Sequence, residues 1–119
     1  GGPVYLYVFS RAVQAPGGER LGAYHGAEIP YVWDTLAVET WVPRQPHDQE
    51  LASAMSAAWL RFAATGDPNG GGLPTWPLYR SGEEGFLQFG DTISAGSGVR
   101  REACALFEDL QSMRLARGR

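Results

Sequence analysis

Residues 4–9 read VYLYVF, an uninterrupted run of β-branched, aromatic and aliphatic side chains between Pro3 and Ser10. A hydrophobic run without alternation is typical of a strand that is buried on both faces, as in the middle of an α/β sheet. In a chain of 119 residues that folded by itself, such a strand would leave an exposed, adhesive edge. The sequence therefore predicts a central strand whose neighbours come from residues outside this chain, which would begin in the middle of a larger protein.

The other elements predicted from local patterns are a short helix that opens at Pro30, two longer helices and a short strand. Asp48 is predicted to cap a helix over residues 49–65 that ends at Gly66. One face of that helix is apolar and carries Leu51, Met55, Ala58, Trp59 and Phe62. A strand is predicted over residues 86–89 and a second helix over residues 100–115. The second helix is expected to present one apolar side, made of Ala103, Leu106, Phe107, Leu110 and Met113.

Composition excludes several classes of function. Apolar residues make up 44% of the chain and charged residues 19%, which argues against disorder. The net charge is −3, and no basic cluster is longer than Arg100–Arg101, so neither a nucleic-acid partner nor a polybasic membrane surface is expected. No apolar run approaches the roughly 18–20 residues that span a bilayer. Cys104 is the only cysteine, which excludes an internal disulfide and a cysteine-based zinc site.

Two histidines and one glutamate are candidates for chemistry. His25 lies between Tyr24 and Gly26 in a loop that follows the predicted strand, where it could present a ring nitrogen to a nucleophile or simply bond to a nearby carbonyl. Glu28 could support such a site by a hydrogen bond or cap the short helix predicted to open at Pro30, and the local sequence favours the cap. His47 lies in a polar linker and is expected to be a surface residue.

No nucleophile or cofactor site accompanies these residues. Residues 95–99, AGSGV, depart from the Gly-x-Ser-x-Gly turn that presents a catalytic serine. Cys104 lies between alanines on the predicted second helix and is interpreted as a buried, inert thiol. The two histidines give no metal-ligand set, and no glycine-rich phosphate loop follows the strand, so no cofactor is expected. Three aromatic residues near His25, namely Tyr31, Trp33 and Trp41, could line a pocket or pack in the core.

Four motifs follow one another along the chain. Residues 3–9, PVYLYVF, are followed by residues 22–33, GAYHGAEIPYVW, by residues 59–69, WLRFAATGDPN, and by residues 73–79, LPTWPLY. Their order resembles the C-terminal region of the type-B carboxylesterases, a family that includes bacterial para-nitrobenzyl esterases and the cholinesterases. The third motif is similar to the family signature W-x-x-F-A-x-T-G-D-P-N, and the fourth is similar to the x-W-P-x-Y segment that follows it. The resemblance covers essentially the whole chain.

This resemblance implies a fold and an activity. Residues 1–119 would be the C-terminal segment of an α/β-hydrolase domain, a mostly parallel sheet flanked by helices that is incomplete in this chain. His25 would be the base of a serine-esterase triad and Glu28 a supporting residue that does not touch the substrate. The family's nucleophile string G-E-S-A-G, its acidic triad member and its oxyanion-hole glycines would lie upstream, so the partners expected are a small ester and the missing N-terminal part of the domain.

Two further expectations follow from the resemblance. The chain alone is expected to be inactive. Cys104 falls where cholinesterases keep a cysteine that is bonded to an upstream one, but no such partner exists in this chain and Cys104 is expected to be a free thiol.

The family also contains adhesion and prohormone domains, so a non-catalytic interaction domain is the alternative function. The composition, which is rich in Ala and Gly with Arg as the only basic side chain besides histidine, suits a GC-rich bacterial gene, and the sequence does not indicate a location in the cell.

Overall fold

A computed structural model describes residues 2–12, 16–38 and 45–117. The strands are β1 (Leu6–Phe9), β2 (Gly85–Phe89) and β3 (Ile93–Ser97). The helices are α1 (Ile29–Val32), α2 (Pro46–Thr65) and α3 (Arg101–Arg117), with a 3₁₀ turn at Gly18–Arg20. Trp41, one of the three aromatic residues predicted to lie near His25, falls outside the described residues.

The three strands form one mixed sheet in the order β1-β2-β3. β1 pairs with β2 in parallel, from Leu6 opposite Phe86 to Phe9 opposite Phe89, and β3 returns antiparallel to β2. Among the described strands β1 has one neighbour, and each of its residues is only half-buried. The predicted burial of residues 4–9 on both faces is therefore not achieved within this chain, which fits a strand whose second neighbour lies elsewhere. Residues 4 and 5 also lie outside β1, because the carbonyl of Val4 accepts a hydrogen bond from Tyr79 N at 2.8 Å instead of joining the ladder.

β3 was absent from the elements predicted by sequence. Its sequence, ISAGS, is poor in the branched and aromatic residues that favour strands. It is held by its pairing with β2, where Phe86 lies opposite Gly96. The Phe86 ring covers this glycine so closely that a Cβ there would lie 2.5 Å from Phe86 Cζ. A tertiary contact, not local propensity, therefore specifies this strand.

α2 covers one face of the sheet. Leu51, Met55 and Ala58 are buried, as their spacing predicts, and they pack in a cluster with Leu87 and Phe89 of β2. Trp59 of α2 lies against the sheet as well, with its ring centroid 5.0 Å from that of Tyr7 and 5.9 Å from that of Phe89. The remaining members of the buried cluster are Tyr31, Leu36, Ala52 and Trp76. Phe62, at the far end of the predicted apolar face, remains 42% exposed.

The ends of α2 differ from the prediction at one side and agree at the other. The helix begins at Pro46, and Gln45 rather than Asp48 is the N-cap. Asp48 instead completes a capping box from the third helical position, where its Oδ2 accepts a hydrogen bond from Gln45 N at 2.7 Å. Proline at the first helical position lets the helix begin two residues before Asp48. Gly66 ends the helix with φ 79°, as predicted.

α3 occupies the predicted place but buries none of its side chains within the described chain. Its apolar residues Leu106, Phe107, Leu110 and Met113 are exposed. Cys104 is a free thiol and is also exposed, so the interpretation of Cys104 as a buried residue was wrong. The periodicity gave an apolar side but could not show whether a neighbour covers it. No helix in the described ranges is long and apolar enough to cross a membrane.

Candidate active site

His25 lies on a turn at residues 25–28, which follows β1 along the chain. The turn is closed by two backbone hydrogen bonds, from Ala27 N to Tyr24 O at 3.0 Å and from Ile29 N to Gly26 O at 3.2 Å. Gly26 has φ 84°, a left-handed conformation that favours glycine and explains why one follows the histidine. The His25 side chain is exposed and makes no hydrogen bond with another residue in the described ranges. Among the described residues, therefore, no carbonyl is bonded to the imidazole, and the role of His25 remains a prediction.

His47 contrasts with His25. It lies in the first turn of α2, and its side chain is 77% exposed. Its Nδ1 lies 3.6 Å from Glu50 Oε2, which is itself on the surface. A pair between two solvated side chains one helical turn apart has little energetic effect. The structure agrees with the prediction that His47 is a surface residue.

Glu28 occupies the position before α1, but its side chain forms no capping hydrogen bond. The capping interpretation was therefore wrong. The charge of Glu28 contributes, after burial, to raising the pKa of the Tyr7 hydroxyl. Glu28 is half-buried, and its supporting role remains a prediction.

The two other predicted site residues are separated by the structure. Tyr31 is 8% exposed and belongs to the core, with its ring centroid 5.0 Å from that of Phe9. Trp33 is 73% exposed. The two residues are two positions apart on a single helical turn, and positions i and i+2 do not share a face of a helix. The Tyr31 side chain therefore lies in the core, and the Trp33 side chain is exposed. Trp33 thus has a ring free to meet other parts of a larger domain.

A buried ion pair at the same edge of the sheet was missed by the sequence analysis. Arg11, two residues beyond β1, is 7% exposed, and Asp48 is 4% exposed. Arg11 Nε donates to Asp48 Oδ1 at 2.8 Å, and Arg11 also donates to the exposed carboxylate of Asp91, which follows β2. Burial lowers the pKa of the Arg11 guanidinium, but the hydrogen bonds to Asp91 and Asp48 outweigh it and leave the pKa raised. Asp48 and Asp91 are 37 and 80 residues away from Arg11 in sequence, so no local pattern predicts these pairs.

Tyr31 belongs to the same cluster. Burial raises the pKa of its hydroxyl most, and the negative charge of Asp48 and a hydrogen bond to it add to the effect, so that the pKa reaches about 12. The Tyr31 hydroxyl therefore stays protonated and can donate to the carboxylate. Asp48 is thus bonded to Arg11 and to the N-terminus of α2, and its charge also acts on Tyr31.

The TGDPN string at residues 65–69 has a structural role. Asp67 Oδ1 accepts hydrogen bonds from Asn69 N at 2.9 Å and from Asn69 Nδ2 at 2.8 Å, and these bonds hold the pKa of the carboxyl below its usual value. The Asn69 side chain also pairs with the backbone of Trp76, accepting from its N at 2.7 Å and donating to its O at 3.1 Å. Trp76 Nε1 in turn donates to Leu6 O at 2.8 Å. The string therefore connects the end of α2 to β1 through Trp76.

An apolar groove of about 170 Å³ lies between β1 and α2. Its walls are Tyr5, Tyr7, Ala58, Trp59, Phe62, Pro68 and Trp76. None of the predicted site residues lines it. Among the described residues there is also no group of three or more His, Cys, Asp or Glu side chains placed to hold a metal ion.

Comparison with known proteins now places the chain. The model of the carboxylesterase family matches residues 1–107. The chain belongs to the carboxylesterase family. Liver carboxylesterase of Sus scrofa is 32% identical over 120 residues, a match that covers 98% of this chain and 21% of that protein. The chain spans about a fifth of the length of the family members it matches.

Solved structures of two esterases share the fold of this chain. An esterase from anaerobic Clostridium hathewayi that can hydrolyze aliphatic aromatic polyesters matches with a TM-score of 0.70 and 28% identity over 80% of this chain and 19% of that one. A PNB esterase matches in fold with a TM-score of 0.73 and 23% identity over 87% of this chain and 21% of that one. The expectation of a partial α/β-hydrolase fold is thereby confirmed.

Proposed function

We propose that the full-length protein hydrolyses carboxylic esters through a Ser-His-Glu/Asp triad. In this proposal residues 1–119 are the C-terminal segment of the α/β-hydrolase domain and supply the histidine, His25. The nucleophile, the acidic residue and the oxyanion-hole donors belong to the remainder of the domain. The family match over residues 1–107 supports the reaction class.

The position of His25 carries the proposal. The histidine lies in the HGAE string at residues 25–28, on a turn that the chain reaches after leaving the carboxyl end of β1. β1 and β2 are parallel, and active sites of α/β sheets form outside the carboxyl ends of such strands. The exposed imidazole can therefore contact a serine and an acid brought to the same edge by other strands.

In the reaction His25 takes the proton from the serine hydroxyl as it attacks the ester carbonyl. The same ring then returns the proton to the departing alcohol, and a water molecule repeats the sequence to release the acid. Glu28, three residues further on and half-buried, supports the turn that carries the ring. Because the nucleophile and the oxyanion donors lie outside this chain, the isolated segment is expected to be inactive.

Of the two aromatic residues predicted for the pocket, Trp33 is proposed to line it. Trp33 is 73% exposed and is available to a substrate once the rest of the domain is present. Tyr31 is enclosed in the core and would contribute by fixing α1, from which Trp33 projects. The substrate is a small ester in this proposal.

The test compares hydrolysis of para-nitrophenyl butyrate by full-length wild type, His25→Ala and His47→Ala at equal folded concentration. His47→Ala is the matched control, since it removes the other imidazole from an exposed surface position. Loss of the catalytic base in a serine triad lowers kcat by on the order of a thousandfold or more, whereas the control is expected to stay within about twofold.

Two outcomes would contradict the proposal in different ways. If His25→Ala kept its activity, another residue would be the base. If wild type hydrolysed none of several short esters while remaining folded, the non-catalytic interaction domain would be favoured.

A further inference from the structure

We propose that Asp48 is a positioning residue, which fixes the segment carrying His25 by holding both ends of that segment. The inference rests on the proposed function, because it assumes that His25 is the base. It concerns a buried carboxylate that the triad chemistry does not use.

The two ends of the segment are Arg11 and Tyr31. The chain leaves the sheet at Phe9, passes Arg11 and returns to the core at Tyr31 in α1. His25 lies between these two anchors, six residues before Tyr31. A loop of this length has many conformations unless its ends and its return helix are fixed.

Asp48 acts on both ends. Its Oδ1 accepts the hydrogen bond from Arg11 Nε at 2.8 Å, and its negative charge acts on the buried Tyr31 hydroxyl, where it adds to the effect of burial in raising the pKa. Its Oδ2 is held by Gln45 N at 2.7 Å. The rings of Phe9 and Tyr31 also pack against each other, with a centroid distance of 5.0 Å. The carboxylate is therefore tied on one side to the rigid helix α2 and on the other to both ends of the segment.

Burial makes it costly to separate Arg11 from Asp48. Arg11 is 7% exposed and Asp48 is 4% exposed, so neither charge can exchange its partner for water without a large desolvation cost. A shift of Arg11 would break its 2.8 Å bond to Asp48, and a shift of α1 would move Tyr31 out of the buried cluster. In this proposal the position of the turn at residues 24–28 is thus coupled to the Asp48 carboxylate.

Such a role predicts a specific kinetic effect. Misplacement of a catalytic group by about 1 Å is enough to lower a rate on the order of a hundredfold. Asp48→Asn keeps the shape of the side chain and one acceptor but removes the charge. In the full-length protein this variant is expected to lower kcat for para-nitrophenyl butyrate about tenfold or more while KM changes by less than about threefold.

A double-mutant cycle separates positioning from a merely structural role. If Asp48 acts through His25, Asp48→Asn leaves the residual kcat of His25→Ala unchanged within about twofold, because there is no base left to misplace. Glu84→Gln is the matched control: it removes the carboxylate of the Arg101–Glu84 pair, 2.9 Å long and partly exposed, and its kcat is expected to stay at the wild-type value. Tyr31→Phe, which keeps the ring contact and removes only the hydroxyl, is expected to lower kcat severalfold in the same way.

The outcomes are distinguishable. The positioning role would be overturned if Asp48→Asn lowered kcat by the same factor in the wild-type and His25→Ala backgrounds. It would also be overturned if the loss of activity came from a higher KM or from a larger unfolded fraction. Wild-type kcat in Asp48→Asn would overturn it as well. If Asp48→Asn did not fold, Tyr31→Phe would decide by the same cycle. Activity retained by His25→Ala would instead overturn the proposed function.

Discussion

Asn69→Ala should destabilise the protein through the backbone of Trp76. The Asn69 side chain accepts from Trp76 N at 2.7 Å and donates to Trp76 O at 3.1 Å, besides donating to Asp67 Oδ1 at 2.8 Å. Trp76 is 4% exposed, so its backbone groups find no ready replacement among solvent molecules. Alanine removes all three bonds but leaves the bond from Asn69 N to Asp67 in place.

The expected magnitude follows from the two enclosed bonds. A neutral hydrogen bond contributes about 1 kcal/mol net, and leaving an enclosed partner unsatisfied costs more. The bond to the exposed Asp67 adds little, and water can reach the half-buried Asn69 in part. The free energy of unfolding should therefore fall by about 2–3 kcal/mol.

The assay is urea unfolding of the full-length protein, followed by far-UV circular dichroism. Asn69→Ala should lower the midpoint without changing the slope with denaturant, since the surface exposed on unfolding is unchanged. Gln49→Ala is the matched control, because it removes a side-chain amide bond, to Asp34 at 2.6 Å, on an exposed surface. The control should change the free energy of unfolding by less than about 0.5 kcal/mol. Equal, small effects of both variants would refute the role assigned to Asn69.

Two further predictions concern the sheet and the same string. Gly96→Ala should destabilise the protein by about 1–3 kcal/mol through overpacking, because its Cβ would lie 2.5 Å from the Phe86 ring. Urea unfolding measures the loss of stability. If adding Phe86→Leu to Gly96→Ala recovered none of the loss, the contact with the Phe86 ring would not be its cause. The pKa of Asp67 is lowered, chiefly by the Asn69 backbone, so its stabilising contribution is complete above the unfolded-state pKa of 3.8 and is lost as the pH falls through the lower folded-state pKa. The difference in the free energy of unfolding between wild type and Asp67→Asn, measured by urea unfolding at several pH values, should therefore shrink in acid. A difference that stayed constant down to about pH 2 would contradict this.

The extent to which sequence predicted the fold differs from element to element. α2 was predicted well because its apolar spacing and Gly66 are local signals that agree with its packing. Its N-terminus was placed late, because Asp48 satisfies the capping pattern from inside the helix. β3 was missed because it is held by pairing with β2 and by the Phe86 ring over Gly96, which are contacts made across the sheet.

The candidate site shows the same limit. The place of His25 was predictable, since a histidine beside glycine follows a strand. The Arg11–Asp48 pair was not predictable, because two charged residues 37 positions apart are indistinguishable in sequence from solvated ones. Tyr31 and Trp33 were treated alike, although only the structure shows that one is enclosed and the other exposed.

The most direct test of the central claim is the ratio of kcat/KM for para-nitrophenyl butyrate between the full-length wild type and His25→Ala, with the folded state of both verified by circular dichroism. A base in a serine triad predicts a ratio on the order of a thousand or more. A ratio near one, with wild type active, would show that the exposed imidazole of His25 takes no part in ester hydrolysis.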